Sequence, residues 1–252
     1  MTDDSTKAPE QPVLTGGAFL YRQPELLTRD HHGSLGVTPP EHPFEFVSNV
    51  RAIPLTFNEF STAQRHYPIV FSSLEDPVPL AVVAVLDDRN LFVDEQGEWD
   101  PLCYVPSYLR CYPFAFARDD KGRTAMVIDR AAPAVTENPR YPFFTDGEIS
   151  EEITQMIRFC SQFEAERAHT QQLCQRLKDL DLLTTQQATY TPQGESEARP
   201  LASYVCVDAG KLTDLDKDTV YEWHRSGELA SLYSHLYSLD NWRTLVARRQ
   251  LK

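Results

Sequence analysis

The hydrophobic pattern of the chain changes its period near residue 148. Before that point, short apolar runs alternate with turn residues: Arg51-Ala-Ile-Pro-Leu, YPIVFSS (67–73), VPLAVVAVLD (78–87), Phe114-Ala-Phe-Ala and Thr124-Ala-Met-Val-Ile-Asp. These predict strands, the last two joined by a turn at Asp119-Asp-Lys-Gly122. Val82 to Leu86 is apolar at consecutive positions, so that strand is expected to be covered on both faces. Phe57 to His66 reads as a short helix. Pro39, Pro40 and Pro43 interrupt the segment before it, and order is expected from Phe44.

After residue 148, Ile153, Met156, Ile157, Cys160 and Phe163 recur at three- and four-residue spacing. Ser150 suits an N-cap, with Glu151 and Glu152 in the first turn. The stripe lapses over Arg167 to Thr170 and returns at Leu173, Cys174, Leu177 and Leu180. One helix of about thirty residues and two helices broken near Ala168 both fit that pattern. TYTPQGESEARP (189–200) reads as a loop and ASYVCVDAGKL as a short strand. Helices follow over 217–226, 228–237 and 239–249, with Gly227 ending the first and Ser238 or Asp240 capping the third. Strands first and helices afterwards predict an α+β fold. Its antiparallel or mixed sheet lies in the N-terminal half, between Arg51 and Asp129, and its helices mainly in the C-terminal half. The organisation read from this pattern is a flexible segment over 1–40 and a single domain over 41–252.

The stretch LFVDEQGEWDPLCYVPSYLRCYPF (91–114) is denser in aromatic, proline and turn residues than the rest of the chain. Asp94-Glu-Gln-Gly97 predicts a tight turn in which Gly97 takes a positive φ. Its arms, Leu91–Asp94 and Glu98–Pro101, then pair and bring Phe92 near Trp99. Pro106 and Pro113 forbid a simple central strand beyond it. Trp99, Tyr104, Tyr108, Tyr112 and Phe114 offer large amphipathic surfaces, and Arg110 a forked donor beside them. Core packing is the leading reading of this set. The competing one is a groove for a protein partner or a small aromatic or peptide ligand, with Arg110 clamping a carboxylate or a planar group.

Charge narrows the partners. With 37 acidic against 24 basic side chains, the formal charge of −13 opposes nucleic acid and anionic membranes. The N-terminus has neither the basic nor the apolar region of a signal peptide, and no run approaches eighteen apolar residues, so no membrane insertion is expected. Five cysteines without CxxC spacing fit reduced, mostly buried thiols in the cytoplasm. Cys103 and Cys111 are too far apart for half of a zinc site. His31, His32, His42 and His66 read as polar surface rather than ligands, and His224 and His235 as core or surface histidines. Asp87-Asp88, Asp94-Glu95 and Asp119-Asp120 read as turn charges, since neighbours on a strand face opposite ways. GxSxG, GxxxxGK[ST] and GxGxxG are absent. No cofactor and no metal are therefore expected, the catalytic residues are unknown, and enzymatic activity and oligomeric state stay open.

YPIVF (67–71), NLFVDEQGEW (90–99), YVPSYLRCYPF (104–114), VDAGKLTDL (207–215) and HLYSLDNWRTLVAR (235–248) resemble, in order and spacing, the bacterial SapC family. The resemblance runs from about residue 44 to 249. The family is named for a protein linked to a paracrystalline surface layer, and the resemblance brings no catalytic residues with it. It implies company with halogenase-like and cupin-type oxygenase-like proteins and with TonB-dependent receptors, and hence an accessory role in handling an imported substrate. A non-catalytic binding or adaptor protein is the first expectation. An enzyme acting with an oxygenase or halogenase partner and a surface-layer-associated protein are the alternatives.

Overall fold

A computed structural model of the chain describes residues 19–118, 124–192, 194 and 196–251. The expected turn at Asp119–Gly122 and the first eighteen residues lie outside these. In chain order the elements are β1 (Pro24–Leu26), α1 (Arg29–His32), β2 (Leu35–Val37), β3 (Ala52–Pro54), α2 (Phe60–Ala63), β4 (Ile69–Phe71) and β5 (Pro79–Val82). Then come α3 (Ser107–Cys111), β6 (Phe114–Arg118), β7 (Thr124–Asp129), β8 (Val135–Glu137), β9 (Tyr141–Pro142), β10 (Phe144–Thr145), β11 (Glu148–Ile149) and α4 (Glu151–Asp179). The last are β12 (Leu183–Tyr190), β13 (Arg199–Val207), α5 (Ala209–Thr213), α6 (Lys217–Ser226), α7 (Glu228–Ser238) and α8 (Asn241–Leu251). The fold is α+β, with most strands in the N-terminal half and the run of helices at the C-terminal end. Among the described residues every strand pair is antiparallel.

The chain divides into two compact units, one from the residues up to Pro40 with Cys111–Ser161, the other from Glu41–Arg110 with the residues from Gln162 onward. In the first unit, β1-β7-β6 and β8-β2-β9 form three-stranded sheets and β10-β11 a hairpin. Order thus begins before Phe44, because β1 and β2 find partners in strands more than ninety residues away. Asp129, fully buried, explains how β1 is held. Its carboxylate accepts from the amides of Arg22 (3.1 Å), Gln23 (2.8 Å) and Ala131 (3.2 Å) and from the Tyr112 hydroxyl (2.9 Å). His32 is likewise buried rather than surface, with Nε2 3.1 Å from Glu25 Oε2. Gly36 is obligatory in β2: a Cβ there would meet Pro142 Cα at 2.6 Å.

The second unit is built on the five-stranded sheet β12-β13-β4-β5-β3. Its two longest strands form the hairpin β12–β13 after residue 180: β13 takes up the short strand expected from Ala202, while β12 and the two ends of the expected 189–200 loop are a correction. LTTQQATY has no alternation to mark it as a strand, and Arg199-Pro200 pairs with Tyr190 and Thr189. The strand expected to run to Asp87 ends at Val82. Val83, Ala84 and Val85 stay buried, and the chain turns at Leu86, which has φ 70°. The long apolar stripe is one helix, α4, carrying residues of both units. Its polar gap holds the helix in place differently, because the buried Thr170 Oγ1 accepts the Phe57 amide at 3.0 Å. Ser150 precedes α4 as expected, but its hydroxyl donates to Pro142 O at 2.6 Å. Gly227, with φ 89°, ends α6 as expected, while Asp208 and Asp216 cap α5 and α6 through their side chains.

The two halves of this sheet barely touch as a ladder, for β13 and β4 register at Val205↔Phe71 alone. A buried amide without an acceptor costs about as much as a lost hydrogen bond. Helix α7 supplies the acceptors. His235 Nε2 takes the Val207 amide at 3.0 Å, and Ser238 Oγ takes the Ile69 amide at 2.9 Å. His235 is fully buried, its ring edge-on to Phe71 at 5.1 Å.

Burial lowers the pKa of His235 to about 4. An unfolded-chain histidine takes up its proton near pH 6.5, so the unfolded state binds more protons between those values. The stability that His235 contributes is therefore complete above about pH 6.5 and falls by roughly 3 kcal/mol by about pH 4. Urea unfolding at neutral pH and near pH 4.5 checks this. His235→Gln, whose amide oxygen still accepts from Val207, is expected to flatten that part of the wild-type slope.

Candidate functional site

The dense stretch forms a hairpin pinched around its turn. Asp94 N donates to Glu98 O (3.0 Å), Gly97 N to Asp94 O (3.1 Å) and Asp100 N to Phe92 O (2.8 Å). Val93↔Trp99 is the one bridge between the arms. Gly97 has φ 70°, as expected for its place in the turn. Asp94 Oδ1 accepts the amides of Gln96 and Glu98, both at 2.9 Å, which fixes the turn from inside. Phe44 N donates to Gly97 O at 2.8 Å, and His42 Nδ1 lies within hydrogen-bond distance of Gln96 O.

The arms bury their rings. Phe92 and Trp99 stack at 6.0 Å, with Tyr67 4.6 Å from Phe92 and Phe44 5.6 Å from Trp99. The Tyr67 hydroxyl donates to Tyr104 O, and burial drives its pKa far upward. Arg248 of α8 lies 4.5 Å over the Phe92 ring and pairs with Asp100 Oδ2 at 2.8 Å. Burial works against the charge on Asp100, yet the hydrogen bonds from Arg248 and the Leu102 amide hold its pKa below the ordinary value. Arg248 also reaches Cys103 Sγ at 3.1 Å. Burial pushes that thiol up to about 11, so at neutral pH it is neither a thiolate nor a nucleophile.

The carboxylate of Glu59, 5% exposed, ties the next residues down. Oε1 accepts from the Tyr104 hydroxyl (2.9 Å) and the Ser107 amide (2.8 Å), and Oε2 from the Thr56 amide (2.8 Å) with Thr56 Oγ1 2.7 Å away. Burial and this carboxylate raise the Tyr104 pKa to about 12.

The candidate aromatic set is therefore divided. Trp99 and Phe114 are core residues, 5% and 1% exposed. Tyr104 serves Glu59 and Tyr112 serves Asp129. Tyr108 is half-buried with its ring 6.2 Å from Phe163, and Arg110 is exposed. Trp99, Tyr104, Tyr108 and Arg110 belong to one unit, Tyr112 and Phe114 to the other.

A cleft of about 380 Å³ opens instead beside the 94–97 turn, lined by His42, Glu45, Ser48, Asn49, Arg89, Asp94, Glu95 and Gly97. The buried Asn90 ties together the two segments that line it: its Nδ2 donates to Val47 O (3.2 Å) and its backbone N–H to Ser48 O (2.8 Å). Asn90 Oδ1 accepts the Phe92 amide at 2.9 Å, so the cleft and the aromatic stack share one support. Both signs of charge line it. Sequence reasoning picked out the turn but not Glu45, Ser48, Asn49 and Arg89, because a polar lining leaves no hydrophobic signature.

All five cysteines stand as thiols, and Cys111, Cys160, Cys174 and Cys206 are buried. Among the described residues no three His, Cys, Asp or Glu side chains converge as metal ligands, and no helix is long and apolar enough to cross a membrane. An antiparallel α+β fold with a polar cleft beside a braced hairpin is the class these features define. The SapC family model matches residues 27–245, and the chain belongs to the SapC family. No curated protein and no solved structure matches the chain.

Two substitutions test this geometry. A Cβ on Gly97 would meet His42 Cβ at 2.7 Å and would resist the positive φ. Gly97→Val is expected to cost about 1–3 kcal/mol, read as a lower melting temperature. Glu59→Gln replaces an acceptor by a donor facing donors, and is expected to cost roughly 2 kcal/mol or more in chemical denaturation.

Proposed function

We propose that this protein is a non-catalytic binding protein that holds a charged polar segment, a peptide or the loop of a partner protein, in the cleft beside the 94–97 turn. The observation that carries the reading is the lining. Arg89 offers a forked donor to a carboxylate, Glu45 and Glu95 offer acceptors to a cation, and Ser48 and Asn49 offer neutral hydrogen bonds. The buried rings of Trp99 and Phe114 are committed to packing, which favours a polar occupant over an aromatic one. Arg110, exposed on α3, is a second point for partner contact. The five thiols suit the reducing cytoplasm as the place of action. The family resemblance supports an accessory role in the handling of an imported substrate.

Affinity capture from the native bacterium tests the reading, with wild type, Arg89→Glu, Glu95→Lys and Arg110→Ala as baits and mass spectrometry of what each retains. A partner kept by wild type is expected to fall about ten-fold or more on the two cleft variants while their melting temperatures stay unchanged. Equal retention by all baits contradicts the cleft. Stoichiometric iron, zinc or flavin in the purified protein would favour the enzyme reading instead.

A further inference from the structure

We propose that the outer margin of β12 is a self-association edge, through which two copies of this chain pair antiparallel about a two-fold axis. The five-stranded sheet has two edges, and they are built differently. At one, β3 has only three residues, ends in Pro54 and follows the exposed Arg51. A short strand, a proline and a cation are the devices that keep an edge from pairing with another chain.

β12 has none of them. It runs eight residues, LTTQQATY, and no charged or proline residue occurs from Leu182 to Thr191 in a chain of which 24% is charged. Its backbone is regular as well. The register passes from Ala188↔Ala202 to Thr189↔Pro200, so the extra residue of the bulge, Leu201, belongs to β13. One face of the strand is supported, since Tyr204, across from Gln186, packs 5.3 Å from Trp242 of α8. The middle of the strand is open: Thr185, Gln186 and Gln187 are all exposed.

The occupant is argued from the sequence of the edge itself. An isologous contact sets each residue against its mirror position. With the axis through Gln186, Gln186 meets the partner's Gln186, Thr185 meets Gln187, and Thr184 meets Ala188. Every pair is neutral, and the amide and hydroxyl pairs can hydrogen-bond across the strands. That matters in a chain of net charge −13, because two copies repel wherever their acidic surfaces meet. The one long strand free of charge is the place where the repulsion is least. A single added strand pair is a small interface, so the dimer is weak, with a dissociation constant on the order of 10–100 µM. Screening the repulsion with salt strengthens it.

Sedimentation equilibrium of the full chain tests the proposal. Wild type is expected to be a reversible dimer, more populated in about 0.5 M than in about 50 mM sodium chloride. The double variant Gln186→Lys, Gln187→Lys sets like charges opposite each other across the axis. It is expected to weaken dimerisation about ten-fold or more with an unchanged melting temperature. Mixing it at low salt with Gln186→Glu, Gln187→Glu is expected to restore dimers as a mixed pair. A wild-type protein that stays monomeric up to about 1 mM overturns the proposal. So does a lysine variant that dimerises as wild type does, or a mixture that stays monomeric, since each places the contact elsewhere.

Discussion

Two backbone amides close the seam in the sheet of the larger unit. β13 and β4 meet at one residue pair, and the sheet would separate there into a C-terminal hairpin and a set of short N-terminal strands. The amides of Val207 and Ile69 lie two residues beyond that pair, facing each other in the register, and both are taken by side chains of α7, His235 and Ser238. A neutral imidazole is suited to the task. Donation from Val207 fixes Nε2 as the acceptor and leaves the ring proton on Nδ1, and burial keeps the second proton off. The cost of this arrangement is sensitivity to acid, because a protonated ring can accept nothing and would bury a charge.

From that seam the rest follows in order. The sheet positions β4 and, just before it, Tyr67, whose ring and hydroxyl anchor the hairpin of residues 91–100 and the carbonyl of Tyr104. Glu59 then fixes Tyr104 and Ser107, and with them the start of α3. Aromatic density in this stretch is thus accounted for by packing, and it braces the polar turn. Asn90 links the stack to the cleft, whose charged residues Glu45, Arg89 and Glu95 are exposed. Glu45, Arg89 and Glu95 can vary without disturbing the support beneath them.

Much of this was legible in the sequence. The change of period marked the α+β division, Gly97 and Gly227 marked two positive φ values, and the helices after residue 216 fell close to their expected bounds. What the sequence did not reveal is instructive. β12 is polar on its exposed face and nearly so on the other, so periodicity had nothing to report. β1 and β2 lie among prolines and histidines and are strands only because β7, β8 and β9 pair with them. His235 reads as an ordinary core histidine until the amide it serves is known. The cleft joins residues 42–49 to residues 89–97, and that meeting depends on Asn90, a buried amide whose partners lie more than forty positions back. In each case the missing information is long-range pairing, which local pattern does not carry.

The seam between β13 and β4 is closed by α7 and opens only when the unit as a whole unfolds. Native-state hydrogen exchange at neutral pH tests it most directly, residue by residue. The amides of Ile69 and Val207 are expected to exchange with the same free energy as those of the sheet interior, such as Ala81. His235→Ala is expected to lower the protection of both amides relative to Ala81. Amides at Ile69 and Val207 that exchange far more readily than Ala81 in the wild-type protein, or that are unaffected by the substitution, would contradict it.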